Sequence, residues 1–268
     1  MSSSNNSGGG FKSIFAAIVI PAAILVAILI YAYILGNPAN FMENDPNNHP
    51  QNYLGIIHKG GVIVPILISL LLIVITISIE RMMTIGASKG KSSVDSFVGK
   101  IRSLLSNGDL NTAIAECDKQ KGSIANVVKA GIESYRKMQG ETSLDKERKT
   151  AAIQKELDEA TTLELPMLSK NLVIISTVAS VATLMGLLGT VIGMIRAFAA
   201  LAQAGAPDAI ALATGISEAL INTALGVGTS ALAIIMYNYF TNKIDSLTYG
   251  IDEASYSIVQ SFTANKLA

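Results

Sequence analysis

The sequence predicts an all-α integral membrane protein with about four transmembrane helices and a helical domain between the second and third. Three observations carry that reading. Half of the 268 residues are hydrophobic, too many for an ordinary soluble domain. Four apolar runs are each long enough to cross a hydrocarbon core of about 30 Å at about 1.5 Å of helix rise per residue. Between two of them the apolar residues recur at spacings of three and four, the pattern of amphipathic helices. Strand-like alternation is absent, and no repeat of solenoid period occurs.

The elements follow in chain order. Residues 1–13, rich in Ser, Asn and Gly at their start, read as a flexible tail. Residues 14–35, Ile14 to Leu35, form the first apolar run, in which Pro21 alone disfavours helix. A secretory signal is the rival reading. The run is too long for an h-region, Lys12 is the only basic residue before it, and no clear A-x-A site follows, so it reads as a retained anchor. Residues 36–59 contain Pro38, Pro46, Pro50 and several Asn, a turn-rich periplasmic loop whose acids are Glu43 and Asp45. Residues 60–79 are the second span.

Residues 80–169 read as a helical cytoplasmic domain. Val94, Phe97, Val98, Ile101, Leu104 and Leu105 line one helix face. Asn107, Gly108 and Asp109 break that helix, and Asp109 is placed to cap the next. Ile124, Val127, Val128, Gly131, Ile132 and Tyr135 form another face, and Ser143 can open a long helix through Ile153 and Leu157. Lys and Arg are frequent here, which by the positive-inside bias puts the domain and both termini in the cytoplasm. Residues 170–203 and 209–241 are the third and fourth spans, joined by a periplasmic turn at 204–208 with Gly205, Pro207 and Asp208. Residues 242–268 read as a cytoplasmic C-terminal helix.

Composition excludes several classes of function. The formal net charge is zero, and no Lys/Arg block is interleaved with aromatics, so no nucleic-acid partner is expected. The single cysteine, Cys117, cannot form an intrachain disulfide and reads as a small buried side chain in a reduced compartment. His49 and His58 lie in or beside the first loop, far from any metal-ligand cluster, and neither a nucleophile elbow nor a phosphate loop is present. Neither an enzyme nor a cofactor or metal is expected.

The last two spans hold the informative chemistry. Glu218 is the lone carboxylate in an otherwise uncharged run, and a charge at mid-membrane costs about 2.5–3.5 kcal/mol on insertion scales. Gly186, Gly189, Gly193 and Ala197 make a small-residue packing seam, with Gly226 in the same role on the fourth span. Ser176, Thr183 and Thr190 stand seven apart, as do Thr223, Ser230 and Tyr237, with Asn222 and Thr229 beside them. One hydroxyl alone can satisfy itself on a carbonyl a turn back. Two such stripes with a carboxylate point to a wetted or proton-conducting surface. Glu218 and Asn222 are one turn apart, so their side chains can meet, although Glu218 can equally hydrogen-bond at a subunit seam. Arg196 reads as snorkelling to the outer interface, with pairing to an acid there as the alternative.

These residues resemble a known family. The run from Gly186 through Leu187, Leu188, Gly189, Thr190, Val191, Ile192, Gly193 and Met194 to Ile195, followed by Ala197 and Phe198, is similar to the signature of the MotA/TolQ/ExbB proton-channel family, ExbB above all. So are Ile216 to Leu220, Thr223 to Gly226, and Tyr237 with Asn238. The resemblance implies a stator-type motor unit of the bacterial inner membrane. Five copies ring a dimer of a single-span ExbD- or TolR-type partner, whose aspartate carries H⁺. Thr190 and Thr223 then line the pore near that aspartate, Glu218 is the family's span glutamate, and a TonB-type protein delivers the work to outer-membrane importers. By the stripe reading, Thr183, Ser230 and Asn222 belong to the same path. The chain departs from the family at Thr183 and Leu232, where prolines are usual, and in its extra first span, which has a packing role against lipid and the outside of the ring. A TolQ-like or gliding-type stator, or a non-conducting scaffold, is the alternative.

Overall fold

In lipid, a backbone without water must satisfy its own N–H and C=O groups, which for a single apolar run means a helix. The computed structural model describes residues 8–46, 48–203 and 209–264 and is helical nearly throughout. The helices are α1 (Gly8–Leu29), α2 (Tyr53–Lys59), α3 (Ile63–Lys89), α4 (Val94–Ser106), α5 (Leu110–Gln120), α6 (Ser123–Gly140), α7 (Lys146–Ser169), α8 (Leu172–Gln203) and α9 (Ala209–Ala264). Among the described residues four helical stretches are long and apolar enough to cross a membrane. Among the described residues no strand forms; Phe41 and Pro50 make one isolated bridge. The chain divides into two units.

The first unit comprises residues 1–79 and 171–237. Here α1 begins at Gly8, so residues 8–13 of the expected tail are helical, although three glycines at its start disfavour that state by about 1 kcal/mol each. Residues 1–7 of that expected tail lie outside the described residues, as does the expected turn at 204–208. Small residues, Ala23 and Ala27, are the buried face of α1, while Ile18, Leu25 and Ile28 are exposed. An apolar outer surface is what a lipid solvent permits.

The end of the first span widens into a π-helical turn at Ile30–Leu35. The Asn40 side chain closes it, donating to Ile34 O at 2.7 Å and Leu35 O at 2.9 Å. Asn52 caps α2 by accepting from Gly55 N, and it donates to Asn40 Oδ1 at 3.0 Å. A Cβ on Gly55 would lie 2.5 Å from Asn40 O, so this fold of the loop requires glycine there. The expected loop is thus a knot of short helices fastened by two asparagines.

The second unit comprises residues 80–170 and 238–268. Its core is the amphipathic pattern made solid: Phe97, Val98, Ile101 and Leu105 on α4, Val127, Val128, Ile132 and Tyr135 on α6, Ile153 and Leu157 on α7, and Ile251, Ile258 and Phe262 on α9 are buried. Asp109 caps α5, accepting from Thr112 N at 3.1 Å. Ser143 does not open α7. Its N–H and hydroxyl both go to Glu141 Oε1, and Asp145 caps the helix by accepting from Arg148 N at 2.8 Å. The buried Gln120 pins α5 to the end of α3, accepting from Ser92 N and Oγ and donating to Lys89 O and Ser92 O. Arg81 is almost wholly buried. It pairs with Glu80 and donates to Met167 O and Leu168 O, carbonyls that the end of α7 leaves unpaired. Burial pushes the Cys117 thiol up to about 12, which makes it inert at neutral pH.

One boundary differs from the sequence expectation. The fourth span and the C-terminal helix are one element, α9, because no proline or turn signal interrupts the chain where its apolar run ends.

Candidate functional site

Leaving a Cβ off one helix face lets two backbones approach, and in lipid that contact replaces the hydrophobic effect as glue. The α8–α9 pair is built this way. A Cβ on Gly186 would lie 3.1 Å from Gly226 Cα; on Gly189, 2.4 Å from Asn222 Cβ; on Gly193, 2.9 Å from Ala219 Cβ. Gly226 in turn faces Ala182 O and Gly186. Residues rising along α8 meet residues falling along α9, so the helices run antiparallel.

Hydroxyls cross this seam. Ser230 Oγ donates to Ala179 O at 2.5 Å and is buried. Thr223 Oγ1 donates to Gly186 O at 3.3 Å. Gly186 is one helical turn before Thr190, so Thr223 reaches the carbonyl on which the Thr190 turn rests. Thr190 is half-buried and donates to Leu187 O at 2.5 Å within its own helix, and Thr183 is exposed. Thr183, Thr190 and Thr223 thus keep part of their surface available to another chain. Ser230 and Asn222 do not: both lie inside the chain's own packing.

Asn222 shows why. It is 2 % exposed, and its Nδ2 donates to Gly60 O at 3.0 Å, reaching across 162 positions to the start of the second span. Its Oδ1 is buried and has no partner among the described residues. The expected meeting of Asn222 with Glu218 does not occur, since the amide is committed to Gly60. Glu218 turns instead to Arg196, with Nη1 and Oε2 3.9 Å apart. Arg196 is therefore paired rather than free at the interface. Its long side chain bends over Gly61, where a Cβ would lie 3.0 Å from Nη1. Glu218 is the more buried partner at 15 % exposure, against 55 % for Arg196. Pairing is the cheaper arrangement for a carboxylate removed from water.

Three further residues belong to this end of the pair. Tyr31 of the π turn donates its hydroxyl to His58 O at 3.1 Å, and its ring stacks on the His58 ring with centroids 4.5 Å apart. Tyr31 lies within electrostatic reach of both Glu218 and Arg196, and Lys59 within reach of Glu218. Burial, and then the Lys59 charge, hold the His58 imidazole below its usual value. A tyrosine at the end of an apolar run was the available sequence signal; that it lies within electrostatic reach of Glu218, almost 190 positions away, was not readable. Titratable groups and hydroxyls that bridge helices are thus held in one membrane unit.

The comparisons with known proteins agree with this architecture. The chain is similar to the Tol-Pal system protein TolQ of Pseudomonas aeruginosa, 26 % identical over 157 residues covering 59 % of the chain and 68 % of the relative. It is similar to the biopolymer transport protein ExbB of Pseudomonas putida, 33 % identical over 32 % of the chain and 26 % of the relative. It also resembles ExbB of Aquifex aeolicus, 33 % identical over 42 % of the chain and 69 % of the relative. The alignments therefore span from about a quarter to just over two thirds of these relatives. A family model matches residues 119–253, just over half of the chain, across the end of the helical unit, both glycine-lined spans and the start of the C-terminal stretch. On that match the chain belongs to the MotA/TolQ/ExbB proton channel family.

Proposed function

We propose that this chain is the ring-forming subunit of an ExbB-like motor in the bacterial inner membrane, with both termini in the cytoplasm. Five copies surround a dimer of an ExbD-type single-span protein. Protons pass along Thr190 and Thr223, with Thr183 extending the path, and move the ring and its partner relative to each other. A TonB-type protein then transmits the work to outer-membrane importers. Each charge crossing the membrane field gains about 2.3 kcal/mol per 100 mV, so a few protons supply useful mechanical work. The chain itself catalyses no covalent chemistry and needs no cofactor.

The observation that carries this reading is the Thr223 hydroxyl set on the Gly186 carbonyl one turn before Thr190, in a helix pair that belongs to a proton-channel family. Both hydroxyls keep a lone pair free to accept, which a relay requires. Glu218, held by Arg196, fixes the far end of the seam rather than carrying the proton itself. Asn222 and Ser230 serve the path indirectly, by holding the two helices in register.

The test is proton uptake by vesicles containing the chain and an ExbD-type partner. Thr190→Val and Thr223→Val should abolish uptake while the oligomer still assembles. Uptake unchanged in both variants sinks the proposal and leaves a scaffold. A TolQ-like load is the second reading, favoured by the 59 % of the chain that aligns with TolQ. Which single-span partner co-purifies with the chain separates the two.

A further inference from the structure

The membrane seam leaves unexplained a cavity in the second unit. It holds about 350 Å³ and is lined by residues 82–95 of α3 and α4 and 239–247 of α9, among them Lys89, Asp95, Tyr239 and Lys243. Buried apolar residues, Ile85, Val94, Phe240 and Leu247, form its inner wall. Its rim is apolar too: Met82 is 54 % exposed and Tyr239 45 %. No Cβ-sized obstruction lies over Gly86, which opens the α3 side.

The charges in this cavity are unspent. Among the described residues neither Lys89, Lys243 nor Asp95 has an ion-pair partner. Lys243 Nζ stands 5.7 Å from the centre of the Tyr239 ring, which holds the ammonium at the rim. Ser93 spends its oxygen on Ser96 N and keeps its hydroxyl proton to donate. Two cations, one carboxylate and a hydroxyl therefore face one space.

Depth along the helices identifies what could fill it. The uncharged run of α3 ends at Ile79, and that of α9 ends near Phe240. Met82 to Lys89 thus begin about 5 Å beyond the apolar run and end about 15 Å beyond it. Met82, and Lys243 three residues past Phe240, therefore stand within the headgroup layer, which is about 5–8 Å thick on each side of the core, and Lys89 stands beyond it with a stem long enough to reach back. Exposed Met and Tyr at the rim are suited to acyl chains and the interfacial carbonyls.

We propose that this cavity binds the headgroup of a zwitterionic glycerophospholipid bearing a primary ammonium, that is, phosphatidylethanolamine. Lys89 and Lys243 hold the phosphate, Asp95 accepts from the ammonium, and the acyl chains lie over Met82 and Tyr239. An anionic lipid such as phosphatidylglycerol brings the same phosphate to the lysines but no cation, so Asp95 has no ion pair to make and accepts only from neutral hydroxyls. A choline headgroup has no N–H for the carboxylate to accept.

The test is native mass spectrometry of the full-length oligomer in detergent, after delipidation and titration with phosphatidylethanolamine, phosphatidylglycerol and phosphatidylcholine of matched chains. One lipid per chain should bind, with phosphatidylethanolamine preferred. Lys89→Gln and Lys243→Gln should each weaken binding of all three about fivefold. Asp95→Ala, which removes the acceptor, should leave the phosphate contact and erase the preference over phosphatidylcholine. Lys155→Gln, an exposed lysine outside the cavity, should change nothing. All these positions are exposed, and thermal melts of each variant confirm that the fold is retained. Retention that ignores both lysines overturns the site. Equal binding of the three lipids by the unaltered chain overturns the headgroup class. Displacement of the lipid by millimolar inorganic phosphate reduces the cavity to a free-anion site and overturns the lipid assignment.

Discussion

The α8–α9 pair of the membrane unit and the α6–α7 pair of the helical unit are both helices pressed together at glycine, yet they are held by different forces. At Gly131 on α6 the partner is a side chain: a Cβ there would lie 2.3 Å from Leu157 Cδ2, so Leu157 fills the gap as a knob. At Gly186 and Gly226 the partner is backbone, with no side chain between. Water drives the first contact by expelling Ile, Leu and Val. Lipid is as apolar as leucine and drives nothing, so the second contact depends on close backbone approach and hydroxyl-to-carbonyl bonds. A seam without bulky side chains is also one where Thr223 can touch the neighbouring helix carbonyl directly.

The largest expected effect follows from that contrast. Gly226→Val should do the most damage to assembly, because the new Cβ meets Ala182 O at 2.6 Å and Gly186 Cα at 2.8 Å, and backbone atoms cannot rotate away. Overpacking of this kind costs about 3 kcal/mol or more. It should be read as loss of assembled protein and of resistance to denaturing detergent. Gly228→Ala is the matched control, since nothing lies within 4 Å of its Cβ position; stability should stay within about 1 kcal/mol. Equal damage from both would show that the seam is not what holds the pair.

Leu157→Ala breaks the other side of the comparison. Leu157 is 1 % exposed, and its loss leaves a cavity worth about 2–5 kcal/mol. Circular dichroism of the full chain should show an earlier melting step. Proton uptake at temperatures below that step should be unchanged.

The third expected effect concerns a polar tie. Asn222→Ala removes the donor to Gly60 O and leaves a buried carbonyl unpaired, at about 1–3 kcal/mol. The readout is unfolding in mixed micelles, and a loss no larger than that of Gly228→Ala would sink the tie. Asn222 also marks the limit of what the sequence shows. The apolar runs, the buried α4 face and the Asp109 cap are local, written within a few residues of each other, and they were legible. The Asn222–Gly60 bond spans 162 positions, and nothing near either residue announces it. Likewise Glu218 read equally well beside Asn222 or at a subunit seam, because helical spacing places a side chain on a face but does not choose its partner across it. Arg196 chose Glu218 because both lie on the same side of an antiparallel pair, a fact of tertiary structure. The continuity of α9 was hidden for another reason: its composition changes where its solvent changes, and the backbone does not.

The smallest expected effect tests the knot that joins the first span to this unit. His58 is partly buried beside Tyr31 and next to Lys59, and both burial and that charge lower its pKa from 6.5. The folded state therefore prefers the neutral ring, and the unfolded chain binds the proton more readily. Stability from this residue is complete above about pH 6.5 and is lost as the pH falls toward the lower folded value, with no further loss below it. The His58→Phe variant can still stack on Tyr31 but cannot titrate, so its melting temperature should lack this dependence between pH 7 and 5. The surface is partly open to solvent, so the difference is small. A wild-type chain that grows more stable on acidification, relative to the Phe variant, would mean that His58 gains a partner when charged.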